Sequence, residues 1–205
     1  MLIQSTIPGV EQLTVIFAGP QGSGKDTQVA LLKNYLLHHY TTPVVHFDAG
    51  TELRTFAHEG GFTQDHVATS LTRGELQPMF VLAHVMGRFF INWLKGEEHL
   101  LISGFPRSED QLMLFQSAMS FYERKQPILI FLSVPEEVSV ARLLKRERSD
   151  DTEESIRKRL RWTKEQTLPV IHTFQENPAY RYIEIDGTAS IEDVHTAVLK
   201  QLELI

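Results

Sequence analysis

Leu13-Thr-Val-Ile-Phe-Ala-Gly-Pro-Gln-Gly-Ser-Gly-Lys-Asp-Thr-Gln28 is an apolar run that breaks into a glycine-rich turn, takes in a lysine and then adopts a helical pattern. Residues 14–18 are β-branched, aromatic or small and read as a buried strand. Gly19, Gly22 and Gly24 free the backbone to wrap an anion with its N–H groups turned inward. The helix that follows brings the positive end of its dipole to the same place, and Lys25 adds a full charge. Strand, turn and helix in this order predict a phosphate cradle at the carboxyl end of a buried strand.

Further apolar runs recur at residues 43–47, 100–103, 128–133 and 181–185, with helical patterns between them. Such alternation predicts an α/β fold, a five-stranded parallel sheet with helices on both faces. The first helix, residues 25–38, places Val29, Leu32, Leu36 and Leu37 on one stripe. Ligands of such sheets bind beyond the carboxyl ends of the strands. The cradle, the turn after Phe47, the segment 104–107 and the chain after Ser133 all fall there. Some fifty residues separate the second and third strands, more than one crossover helix needs. They predict helices at 51–59, 63–72 and 77–95, the first two within a helical insertion over residues 48–78. Phe89, Phe90 and Trp93 are expected to pack the last of these onto the core.

The spacing Gly19-x-x-x-x-Gly24-Lys25 is that of the nucleotide-binding P-loop, but Asp26 stands where a Ser or Thr hydroxyl usually meets Mg2+. The third strand runs into Ile102-Ser-Gly-Phe-Pro-Arg-Ser-Glu-Asp-Gln111, whose Gly104 and Pro106 shape a tight exit and present Arg107 to the same cleft. A guanidinium there offers a bidentate fork for a second phosphate group.

The 205 residues suit one domain, 42% of them are hydrophobic, and the formal charge of −6 argues against a nucleic-acid-binding surface. No cysteine is present, which excludes disulfides and Cys-based zinc sites and fits a reducing compartment. The first residues lack a signal-peptide pattern and the longest apolar run, 128–132, is too short to span a bilayer, so a soluble cytoplasmic protein is expected. The nine histidines form no ligand-spaced pair; His38, His39 and His46 read as surface or packing residues.

Five motifs, Gly19-Pro-Gln-Gly-Ser-Gly-Lys-Asp-Thr-Gln28, Gly50-Thr-Glu-Leu-Arg54, Arg73-Gly-Glu-Leu-Gln-Pro78, Gly104-Phe-Pro-Arg107 and the arginine-rich stretch from Arg142 to Arg159, together resemble the adenylate kinase family of nucleoside monophosphate kinases. The resemblance spans nearly the whole chain. It implies a P-loop NTPase core, a monophosphate-binding insertion, a short lid over residues 146–152 and reversible transfer of the γ-phosphoryl group of ATP to a nucleoside monophosphate with Mg2+. It also implies small-molecule nucleotides as partners and a monomeric protein. On its terms Gly22, Ser23, Gly24, Lys25, Asp26, Thr27, Arg142 and Arg146 bind ATP. Gly50, Arg54, Gly104, Arg107, Gln111, Arg148 and Arg159 bind the monophosphate. Lys25, Arg107, Arg146, Arg148 and Arg159 serve the transfer itself, with Asp150 and Asp151 as the acidic pair orienting the lid arginines. The lid turn, with one residue between Arg146 and Arg148, is shorter than in familiar short-lid members.

Two departures stand out. The family carries an acidic residue immediately before Gly-Phe-Pro-Arg, where it organises the hydrated magnesium, and here that place is Ser103. The glycine after the P-loop lysine is here Asp26. No direct protein ligand to the metal is expected, and Asp26 is the candidate to hold its water shell. Gln111, four residues after Arg107, corresponds to a glutamine that hydrogen-bonds adenine and favours AMP as acceptor. The family's Ser-Thr-Gly reads Asp48-Ala49-Gly50, which removes a hydroxyl and leaves UMP/CMP or another monophosphate as the alternative. A nucleotide-binding regulatory protein without transfer activity is the alternative from another class.

Overall fold

The structure is a computed structural model that describes residues 12–145 and 152–205. Strand β1 (Thr14–Ala18) feeds the glycine-rich turn and α1 (Lys25–His39); β2 (Val44–Asp48) leads into α2 (Ala49–His58), α3 (Phe62–Thr72) and α4 (Met79–Trp93). β3 (His99–Ser103) is followed by α5 (Glu109–Phe121), and β4 (Ile128–Ser133) by α6 (Glu136–Leu144), α7 (Glu153–Trp162), one π-helical turn (Thr163–Thr167) and α8 (Leu168–Glu176). β5 (Arg181–Asp186) and α9 (Ile191–Gln201) complete the order.

The strands form one sheet in the order β2-β3-β1-β4-β5. All four pairings are parallel. The expected five-stranded sheet is thus present, with β1 at its centre and connections leaving to both sides of it, so the turn after β1 sits at the middle of the sheet's carboxyl edge.

Alternation along the strands builds two cores. Ile16, Phe47, Leu100, Ile102 and Leu129 face the layer of α2, α4, α5 and α8, where Phe90, Phe105, Phe115 and Phe174 are buried. Val15, Phe17, Leu101, Ile130, Leu132, Ile183 and Ile185 face α1 and α9. A third small cluster, Val140 and Leu143 against Ile156 and Leu160, holds α6 to α7 at the base of the arginine-rich segment.

Two packing expectations are corrected. Val29, Leu32 and Leu36 of α1 are buried, but Leu37 is 49% exposed, because it lies a hundred-degree step beyond Leu36 and outside the arc that meets the sheet. On α4 the buried stripe is Leu82, Met86 and Phe90 at every fourth residue, whereas Trp93 is 61% exposed and lies along Phe89 at the margin of that stripe. The helix bounds shift by local chemistry: α2 begins at Ala49 because the Asp48 carboxylate accepts the Thr51 N–H and caps it, and α4 begins after Pro78.

At the opposite end of β3, Glu98 and Arg124 form a buried ion pair with side chains 3% and 2% exposed. Arg124 Nη1 also donates to the Glu98 carbonyl at 2.7 Å, and the Glu98 carboxylate accepts the Lys95 N–H at 2.9 Å. The pair ties the start of β3 to the chain leaving α5.

Candidate active site

The turn after β1 is held by close packing. Gly19 has φ 137°, and a Cβ there would stand 2.4 Å from the Leu132 carbonyl oxygen of β4, so the loop can lie against that strand only without a side chain. Lys25 Nζ donates to the Gly19 and Pro20 carbonyls at 2.8 and 2.7 Å, which fixes the ammonium inside the loop. Ser23 is buried beneath it.

A cavity of about 650 Å3 opens in front of this loop, and four groups of elements line it. The loop and first turn of α1 contribute Gly22, Gly24, Lys25, Asp26 and Thr27; β2 and α2 contribute His46, Asp48, Gly50 and Arg54; the β3 exit and α5 contribute Gly104, Arg107 and Gln111; α6 and α7 contribute Arg142 and Arg159. Residues separated by well over a hundred positions therefore converge, with at least one cation from each of the four groups. Arg146 and Arg148, and with them Asp150 and Asp151, lie outside the described residues.

Each cation is braced. Arg107 Nε donates to the Gly104 carbonyl at 2.8 Å, and its backbone N–H donates to Gln111 Oε1 at 2.8 Å. Burial draws the Arg107 pKa below its ordinary value while Asp48 and Asp26 oppose the shift, and a guanidinium stays charged throughout. It is not paired with Glu109 or Asp110 on the surface. Arg54 Nη2 donates to Thr51 Oγ1 at 3.0 Å and lies 3.8 Å from Asp48. Arg142 Nη1 donates to the Gly22 and Gly187 carbonyls at 3.3 and 2.9 Å, linking α6 to the glycine-rich loop and to the turn after β5. The stem of Arg159 passes over Gly74 at the end of the insertion. Thr163 and Thr167 of the π-helical turn also face the cavity, in keeping with the use of such turns at functional sites.

The sequence reading did not find three contributors. His46 was read as a surface or packing residue, yet its Nε2 meets Ser103 Oγ at 3.0 Å and its ring borders the cavity. Burial lowers its pKa more than Asp48 raises it, so the ring is neutral near pH 7. The available signal was parity: His46 and Asp48 are two apart on one strand and share a face. Asp48 accepts the Ser103 hydroxyl at 2.7 Å. Gly187 packs under the loop; a Cβ there would stand 2.9 Å from Val134 Cγ1 and 3.0 Å from the Ser23 carbonyl oxygen. Substituting Gly187→Ala is expected to displace the loop and raise KM for the triphosphate about tenfold with little change in the other KM, as overpacking costs about 1–3 kcal/mol. Steady-state kinetics with each substrate varied in turn would check this, and an unchanged triphosphate KM would show that the loop does not rest on Gly187.

A lysine-bearing glycine-rich loop facing Arg54 and Arg107 across one cavity has the chemistry of a P-loop phosphotransferase. The family model described as adenylate kinase matches residues 17–179, and the chain belongs to that family of ATP-dependent nucleoside monophosphate kinases. An adenylate kinase of Thermosynechococcus vestitus is 32% identical over 195 residues, covering 90% of this chain and 93% of the relative. A UMP-CMP kinase of Lentinula edodes is 34% identical over 201 residues, 90% of this chain and 83% of the relative. An adenylate kinase of Corynebacterium urealyticum is 30% identical over 191 residues, 93% and 99% of the two chains. Among the described residues no helix is long and apolar enough to cross a membrane.

Proposed function

We propose that the chain transfers the γ-phosphoryl group of ATP to AMP reversibly, giving two ADP. The observation that carries the choice of acceptor is the hydrogen bond from the Arg107 N–H to Gln111 Oε1. A backbone N–H can only donate, so the amide oxygen must face it and the amide nitrogen is the end offered to a base. Adenine N1 accepts such a bond, whereas guanine N1 and uracil or thymine N3 set a hydrogen of their own against it and offer the amide only their carbonyl oxygens, to one side. Cytosine N3 also accepts, and with Ala49 in place of a hydroxyl and the Lentinula edodes relative, CMP is the second reading.

In this reading Lys25 and the loop N–H groups hold the donor phosphates, with Ser23, Gly24 and Thr27 completing the cradle. Arg54 and Arg107, beside Gly50 and Gly104, grip the acceptor's α-phosphate. Arg142 serves the donor side beside the loop, and Arg146, Arg148 and Arg159 gather on the transferring group from the lid side. Positioning and charge compensation carry the reaction, and no general base is required. Closure of the insertion, residues 48–78, and of the lid, 146–152, over the core of a single domain excludes water that would hydrolyse ATP.

The donor set fits a hydrated Mg2+. Asp26 and Asp48 bring hard oxygens to the cleft, and among the described residues no group of three or more His, Asp or Glu is arranged to hold an ion directly. Asp26, in the cavity lining beside the loop, would accept hydrogen bonds from metal-bound water. When bound, Mg2+ supplies charge neutralisation between the donor phosphates. Net charge disfavours nucleic acid and the absence of cysteine favours a cytoplasmic location, and the family likeness favours a monomer that handles small nucleotides.

The test is ADP formation from ATP with AMP, CMP, UMP, GMP and dTMP in turn. AMP is expected to give the highest kcat/KM, and Gln111→Ala to lower that value ten- to hundredfold, the effect of about 1.5–3 kcal/mol of lost and unsatisfied hydrogen bonding. A higher kcat/KM with UMP or GMP than with AMP would overturn the acceptor assignment.

A further inference from the structure

Ser103 ends β3, the strand beside β1, and stands opposite Phe17 one residue before the phosphate loop's entrance. A carboxylate at such a place could reach the water shell of a cation on the donor phosphates, but a serine brings no charge. On the other side β3 pairs with β2 in a register that sets Asp48 directly opposite Ser103. Asp48 is ionised, its pKa lowered because hydrogen bonds from Thr51 and Ser103 outweigh the effect of burial. A carboxylate only accepts, so the single Ser103 hydrogen points to Asp48 Oδ2 at 2.7 Å. Neutral His46 then donates its Nε2–H to Ser103 Oγ at 3.0 Å. The relay His46 to Ser103 to Asp48 fixes the carboxylate at the cavity wall, where its side chain is 24% exposed.

We propose that Asp48 supplies the strand-end carboxylate that orients the water shell of the divalent cation, with Ser103 and His46 as its positioning residues. This rests on the nucleotide-kinase reading. Across these two neighbouring strands the charge sits on β2 and the hydroxyl that holds it on β3. Asp26 approaches the same cation from the loop side as the lesser of the two anchors. Asp48 also caps α2, with the Thr51 N–H at 2.5 Å, but capping needs only an acceptor, which asparagine or serine provides equally well.

The experiment measures Mn2+ affinity by the electron paramagnetic resonance of free Mn2+, with the full chain saturated by a non-hydrolysable ATP analogue, alongside the thermal midpoint. Asp48→Asn is expected to weaken Mn2+ binding about 10- to 100-fold, the usual effect of removing an outer-shell partner, with the thermal midpoint little changed. Asp48→Ser should do the same, and the exchange Asp48→Ser with Ser103→Asp should return affinity to within about threefold of the original. Unchanged Mn2+ affinity in Asp48→Asn would overturn the proposal, as would a full loss in Asp26→Asn alone. So would failure of the exchanged pair to restore binding in a protein of normal thermal midpoint. Absence of ADP formation by the unsubstituted protein with every monophosphate would instead sink the kinase reading and leave these binding results standing.

Discussion

Lys25→Met is expected to lower kcat by about 10²–10³, or about 2.7–4 kcal/mol of transition-state stabilisation, the scale on which one preorganised donor acts. Methionine keeps the apolar stem, one atom shorter, and removes the charge together with its N–H donors. The ammonium is held at 2.8 and 2.7 Å from the Gly19 and Pro20 carbonyls, so its position is set by the loop before any ligand contributes. That preorganisation is what makes the loss large, since a flexible cation would spend part of its attraction on becoming ordered. The two carbonyls lie at a partly exposed loop, and water can replace the lysine there; the thermal midpoint should therefore move little. A coupled ADP assay and a melting curve give both readings. A variant within tenfold of the original kcat would show that Lys25 does not act on the transferring group.

Arg124→Met is the substitution with the largest expected effect on stability, a loss of about 3–5 kcal/mol at pH 7, because it strands Glu98 as an uncompensated buried charge. Glu98 is 3% exposed and 26 positions away in sequence, and no water shell can take over from the guanidinium. Replacing both members, Arg124→Met with Glu98→Leu, should recover part of the loss, since the pair itself is worth far less than the penalty for breaking it. The pH dependence has a definite sign. Burial acts to raise the Glu98 pKa, but hydrogen bonds from the Lys95 and Glu97 N–H groups, with Arg124, outweigh it and the pKa is lowered. A lowered carboxylate contributes stability above its unfolded pKa and loses it as pH falls through the folded one. The gap between the original protein and Arg124→Met should thus narrow as pH drops through the ordinary carboxylate range. Urea unfolding at neutral and acid pH measures it, and a gap below about 1 kcal/mol at pH 7 would refute the assignment.

Strand, loop and helix around Lys25 were legible because each depends on neighbours in the chain: β-branched residues for β1, glycines for the turn, a 3.6-residue period for α1. The convergence of Arg54, Arg107, Arg142 and Arg159 on one cavity was legible because the strand exits of a parallel sheet and the helices that follow them meet at its carboxyl edge. Leu37 and Trp93 misled because periodicity gives a stripe but not its width, which the neighbouring layer decides. His46 misled for a related reason. Read as a single residue it is unremarkable, and it acquires a partner only when β3 brings Ser103 beside it.

The sequence by itself determined the order of strands and helices, the phosphate loop and the chemical types of its cations, since these follow from local conformational preference and hydrophobic period. Only the tertiary structure decided which strands are neighbours. The β2–β3 register, Asp48 opposite Ser103 across 55 positions, comes from packing two cores against a sheet whose every one-residue slip would turn apolar faces outward. The seat of Gly187 beneath the loop was decided likewise, by contacts that form after the chain has folded back on itself.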